Sequence, residues 1–186
     1  AGKELQAARP RILVIGLGNP ILGDDGVGWQ ACQSVLTRLE NEYGQETENY
    51  NTDQAFSPEQ ETLVNFECYS LGGLALMERM VGYTHAIIID AIMTQTHPTG
   101  AILRFNLQEL PNSASGRLAS AHDTSLQNAL QVGRMMGAQL PGEIVVVGIE
   151  TQAVFDFSEN LTEAAAAAIP QASMIAIQQI QDWLQS

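Results

Sequence analysis

A three-layer α/β sandwich around a central, largely parallel five-stranded sheet is predicted by two features of the sequence. Short apolar runs rich in β-branched residues recur along its 186 residues, and segments with helical spacing separate them. Strands alternating with helices imply a sheet covered on both faces. No internal repeat or shift of composition marks a boundary, so residues 1–186 read as one domain, long enough to bury a substantial core. Residues 1–10 (AGKELQAARP) read as a flexible lead-in without the apolar stretch of a signal peptide.

Each element follows from its local pattern. Arg11 to Gly16 (RILVIG) is a buried strand ended by glycine. GLGNPILGDDGVG comes next, and then Val27, Ala31, Val35, Leu36 and Leu39 share one face of a helix over about 25–42. The polar stretch 44–61 carries the chain over the surface. Leu63 to Tyr69 is the second strand, and GGLALMERMVG a short helix. HAIIID, from His85 to Asp90, is the third strand, and Ala101 to Phe105 the fourth. Residues 111–119, rich in Ser, Gly and Asn, read as a loop. A helix over about Asp123 to Met136 precedes a fifth strand, Glu143 to Ile149. The last helix spans about Asn160 to Leu184, with Pro170 predicted to break or kink it near Ile169.

Composition excludes some functions. Eight basic against 21 acidic residues give a formal net charge of −13, which argues against nucleic acid or an anionic membrane as partner. No run of about 18 apolar residues predicts a transmembrane helix. Two cysteines, Cys32 and Cys68, read as buried free thiols of a reducing, cytoplasmic compartment. There is no CxxC pair for structural zinc, no G-x-S-x-G elbow and no HExxH.

In an open α/β sheet, ligands bind beyond the carboxyl ends of the strands. Strand one delivers Asn19, Asp24 and Asp25 to that edge, strand two Glu67, strand three Asp90 and strand five Glu150. So many carboxylates with few cations nearby point to a metal, or to a cationic or metal-bearing substrate. The glycine loop is no dinucleotide fingerprint, because its third glycine stands at 23 and no acid follows about 20 residues on. It reads as a tight strand-to-helix turn, with Asp24 assigned to capping and Asp25 to function. His122 opens a helix after the loop, whereas His85 and His97 read as structural. Two carboxylates and an imidazole could bind a borderline ion such as nickel or zinc and leave positions open.

Three motifs in this order (GLGNPILGDDGVG, IIIDAI and SAHDTSL) resemble the hydrogenase maturation endopeptidases, which process the large subunit of nickel–iron hydrogenases. The resemblance runs from Arg11 to the final helix. It implies an aspartic-type endopeptidase that removes the C-terminal extension of a nickel-loaded large-subunit precursor. Asp25, Asp90 and His122 map onto the nickel-contacting residues, and Asp25 and Asp90 are the catalytic carboxylates. Asn19, Gly72 and Gly73 are the expected substrate contacts. No cofactor is expected to be tightly bound, since the nickel comes with the substrate, and the enzyme is expected to act as a monomer. In place of the family's Asp-Gly-Gly-Thr type motif stands Glu67-Cys68-Tyr69-Ser70-Leu71 before Gly72-Gly73, which leaves the cognate hydrogenase open. The alternatives are a non-enzymatic nickel-checking module and an unrelated metal hydrolase.

Overall fold

A computed structural model describes residues 10–43, 63–109, 121–152 and 157–186. The side chains of Tyr43, Leu63 and residues 121–125 lie outside that description, as do residues 1–9 of the expected lead-in and the whole loop at 111–119. Four parallel strands and one antiparallel strand make the sheet: β1 (Arg11–Leu17), β2 (Leu63–Tyr69), β3 (His85–Ile92), β4 (Ile102–Asn106) and β5 (Glu143–Glu150). Their order is β2-β1-β3-β5-β4, and only β4 runs antiparallel, on β5. The predicted architecture is therefore the observed one.

Alternation along the strands sorts the core into two layers. Ile12 and Val14 of β1 and Ile87 and Ile89 of β3 pack against helices α1 (Val27–Tyr43) and α4 (Glu163–Gln185). Leu13, Ile15 and Leu17, with Ala86 and Ile88, face helices α2 (Gly73–Arg79) and α3 (Ala121–Met135). Each fully buried Ile or Leu contributes roughly 1.5–3 kcal/mol relative to exposure. The even-numbered side of β3 therefore looks toward α2 and α3, and Asp90 belongs to that side.

Two elements differ from expectation. Strand β3 continues two residues past Asp90, through Ala91 and Ile92, because its β5 edge stays paired there after its pairing with β1 has ended at Ile89: Asp90 aligns with Gly148 and Ile92 with Glu150. Helix α4 is unbroken at Pro170. Its apolar face (Ala165, Ala168, Ala172, Ala176, Ile180, Trp183) is buried along its length, and that packing outweighs the hydrogen bond proline removes. Ser173 Oγ, one turn on, donates to Ile169 O at 2.8 Å and to Ala31 O of α1 at 3.4 Å.

The start of α4 is held from far away in sequence. Thr162 caps it, accepting from Ala165 N at 3.3 Å. Its own N–H and hydroxyl donate to Asp24 Oδ1 at 2.7 Å and Oδ2 at 2.8 Å. Asp24 is buried and, against expectation, does not cap the helix start beside it; its carboxylate instead anchors Thr162, the N-cap of α4, 138 residues away. Asp24→Ala is expected to destabilise the fold by about 2 kcal/mol, because it strands two donors at once. Urea unfolding measures this, and a change within about 0.5 kcal/mol would show the link to be idle.

The remaining histidines and cysteines are structural. His85 opens β3 with its ring 4.7 Å from that of Trp183, and burial holds its pKa below the usual 6.5 despite the opposing Glu143. His97 Nδ1 lies 2.9 Å from Thr96 Oγ1 in the loop after β3. Cys32 is buried and free, and Cys68 is free but only partly buried, since β2 is an edge strand. The hydrogen bond between the two thiols and the burial of Cys32 push Cys32 up, and the same bond lowers Cys68.

Candidate functional site

The loop after β1 is built around a carboxylate. Gly18 turns the chain with φ +123°, a region open to glycine, and a Cβ there would lie 1.7 Å from Asp25 O. The Asn19 N–H donates to Asp25 Oδ2 at 2.6 Å, and Asn19 Oδ1 accepts from Ile21 N at 3.2 Å. Leu22 N bonds Asn19 O at 3.1 Å, and Asp25 N bonds Leu22 O at 3.3 Å. Residues Gly23–Gly26 then form one 3₁₀ turn that feeds α1. The loop is fastened on its outer side by residues 157–159: Gly23 N reaches Ser158 O at 2.6 Å, and Ser158 N reaches Ile21 O at 3.0 Å. Asn19, expected as a substrate contact, thus holds Asp25 with its backbone and closes its own turn with its side chain.

Packing brings this loop to β3. Gly28 of α1 sits where an added Cβ would be 2.3 Å from both Leu17 O and Ile89 O, the residue before Asp90. Asp25 and Asp90 therefore stand at the carboxyl ends of adjacent strands, β1 and β3. Asp25 is partly buried, whereas Asp90 is only 1% exposed. Helix α3 ends near the start of β5, at the amino edge of the sheet. Its 15 residues span about 22 Å, so its first turn, with His122, lies toward the carboxyl edge, in the layer Asp90 faces. The side chain of His122 is outside the described residues. Among the described residues, no three His, Cys, Asp or Glu side chains group to hold a metal ion, a statement that leaves the set with His122 outside it.

Two other carboxylates of this edge are met by neutral donors. Glu150 is buried and accepts from Thr94 N and Gln95 N at 2.9 Å each and from Thr94 Oγ1 at 2.8 Å. It pins the loop after β3, where Gln95 adopts φ +59°. Asp24 is likewise met by Thr162. Neutral donors, not an ion, settle both, which corrects the expectation that the whole cluster calls for a metal. Glu67 lies two residues inside the end of β2. Beside it the Tyr69 hydroxyl is pushed up to about 12 by burial and by Glu67, with Arg79 above the ring pulling the other way.

Residues with a part in the site that the sequence patterns did not single out come from the end of β2. Tyr69 O accepts from Gly18 N at 3.1 Å and from Trp29 Nε1 at 3.2 Å, and Ser70 Oγ donates to Gly18 O at 2.7 Å. The signal for Tyr69 and Ser70 in the sequence is that they belong to the segment Glu67 to Leu71 that replaces the Asp-Gly-Gly-Thr type motif before Gly72 and Gly73. Those two glycines start α2, Gly72 as its extended N-cap and Gly73 at φ +54°.

Residues 70–179, well over half of the chain, match the family model described as HycI, hydrogenase maturation protease. The chain belongs to the hydrogenase maturation protease family. It is therefore a peptidase, and the non-enzymatic module finds no support. Asp90 and His122 fall inside the matched span, and Asp25 precedes it. The chain is 26% identical over 176 residues to the hydrogenase expression/formation protein HupD of Rhizobium leguminosarum bv. viciae, covering 94% of this chain and 76% of that one. It is 25% identical over 139 residues to the hydrogenase 2 maturation protease of Escherichia coli K12, covering 75% and 72%. Among solved structures, the hydrogenase maturating endopeptidase HybD from E. coli superposes with a TM-score of 0.67 at 22% identity, over 92% of this chain and 93% of that one. HybD from Thermococcus kodakarensis gives 0.64 at 20% identity, over 91% and 98%. These superpositions establish a shared fold.

Proposed function

We propose that this peptidase removes the C-terminal extension of a hydrogenase large-subunit precursor that already carries nickel. Asp25, Asp90 and His122 would meet that nickel. The observation behind the proposal is the placement of Asp25 and Asp90 on adjacent strand ends of a chain that belongs to this family. Carboxylate oxygens with one imidazole suit a borderline divalent ion. Asp25, the more exposed of the two, is the first carboxylate an arriving substrate reaches. The substrate's metal polarises the scissile carbonyl while a carboxylate takes a proton from the attacking water, so the protease is of the aspartic type and needs no metal of its own.

The net charge of −13 and the free thiols Cys32 and Cys68 favour a monomer in a reducing cytoplasm, with no nucleic acid or membrane as partner. None of the described helices is long and apolar enough to cross a membrane. The test is incubation of the purified protein with candidate precursors, with and without nickel, followed by mass measurement of the precursor. Loss of a C-terminal segment only in the nickel-loaded sample is the expected outcome. Equal cleavage of the nickel-free precursor would remove the metal from the scheme.

A further inference from the structure

One peptide group joins the end of β2 to the Asp25 carboxylate. The carbonyl of Gly18 and the N–H of Asn19 belong to the same planar unit and point to opposite sides of the chain. The carbonyl accepts from Ser70 Oγ at 2.7 Å, and the N–H donates to Asp25 Oδ2 at 2.6 Å. Gly18 lacks the Cβ that would otherwise restrict rotation of this plane, and it sits at φ +123°. Its own N–H is fixed to Tyr69 O at 3.1 Å. What then sets the tilt of the plane, and with it the aim of the Asn19 N–H, is the hydroxyl on the far side. Hydrogen bonds in series also polarise one another, so a donor on the carbonyl strengthens the N–H toward a carboxylate.

We propose that Ser70 is a positioning residue: through the Gly18–Asn19 peptide it holds the Asp25 carboxylate in the orientation that substrate meets. The inference rests on the proposed role of Asp25. It also ties the segment in which this chain departs from the Asp-Gly-Gly-Thr pattern to the Asp25 turn, because Ser70 is one of the five residues, Glu67 to Leu71, that make up that departure. A serine serving only to close a surface loop would affect stability, and neither Asn19 nor turnover.

The test compares wild type, Ser70→Ala and Ser70→Thr on a nickel-loaded precursor, and reads amide hydrogen exchange at Asn19 in each protein without substrate. Ser70→Ala is expected to lower kcat about tenfold, with KM within about twofold, and to speed exchange at the Asn19 amide about tenfold, as loss of one hydrogen bond implies. Ser70→Thr, which keeps the hydroxyl, restores both. Unchanged Asn19 exchange in Ser70→Ala overturns the inference whatever the activity. A loss confined to KM, or one that Ser70→Thr fails to restore, overturns it as well. If the wild type cleaves no precursor, the proposed function falls, and the exchange measurement alone decides whether Ser70 positions Asp25.

Discussion

Asp90→Asn is expected to lose at least about 100-fold in kcat on a nickel-loaded precursor while leaving the fold intact. The substitution keeps the shape of the side chain, which matters at a position 1% exposed between β1 and β5. What it removes is the negative charge and the ability to take up a proton. An amide oxygen is a poor ligand for a divalent cation beside a carboxylate and a negligible base. Kinetics with the variant should be read next to its urea midpoint, so that loss of turnover is separated from loss of structure. Full-rate processing by Asp90→Asn would sink the assignment of this residue.

Gly28→Ala is expected to cost about 3 kcal/mol or more, enough to threaten folding. The added methyl carbon would lie 2.3 Å from two carbonyl oxygens, Leu17 O and Ile89 O, on neighbouring strands of one sheet. Neither oxygen can retreat without dragging its strand, so the start of α1 would lift from the sheet and take the Asp25 turn with it. Gly142→Ala is the matched control, since the nearest atom to its methyl is Thr84 O at 4.0 Å. Thermal unfolding of both variants measures the contrast. Equal midpoints would mean that the close approach of α1 to β1 and β3 is not what demands glycine at 28.

How much of this was legible in the sequence depends on how local each cause is. Strand β2 falls on Leu63–Tyr69 as its apolar pattern requires, and the glycine turn and the start of β3 are equally local. The end of β3 is not, because Ala91 and Ile92 are strand only by virtue of pairing with Ile149 and Glu150. Pro170 was read by its local penalty, whereas its helix survives on a buried face that spacing shows but does not weigh. In the site, the placement of Asp25 and Asp90 beyond the apolar runs of neighbouring strands was legible locally. The tethers made by Asp24 and Glu150 were not, for their donors lie 138 and 56 residues away. Ser70 was missed for the same reason: its acceptor, Gly18, is 52 residues upstream.

The bond between Asp24 and Thr162 has a consequence for the order in which the molecule is made. Residues 11–28 are synthesised well before residues 158–162, yet the turn that carries Asp25 is fastened by those later residues. A chain that runs through β5 has all five strands of its sheet and still lacks the clasp that holds the Asp25 turn. Contacts of such long sequence separation form late. The turn that carries Asp25 is therefore complete only when residues 158–162 and the helix they start have docked, the same step that closes the core layer under α1 and α4.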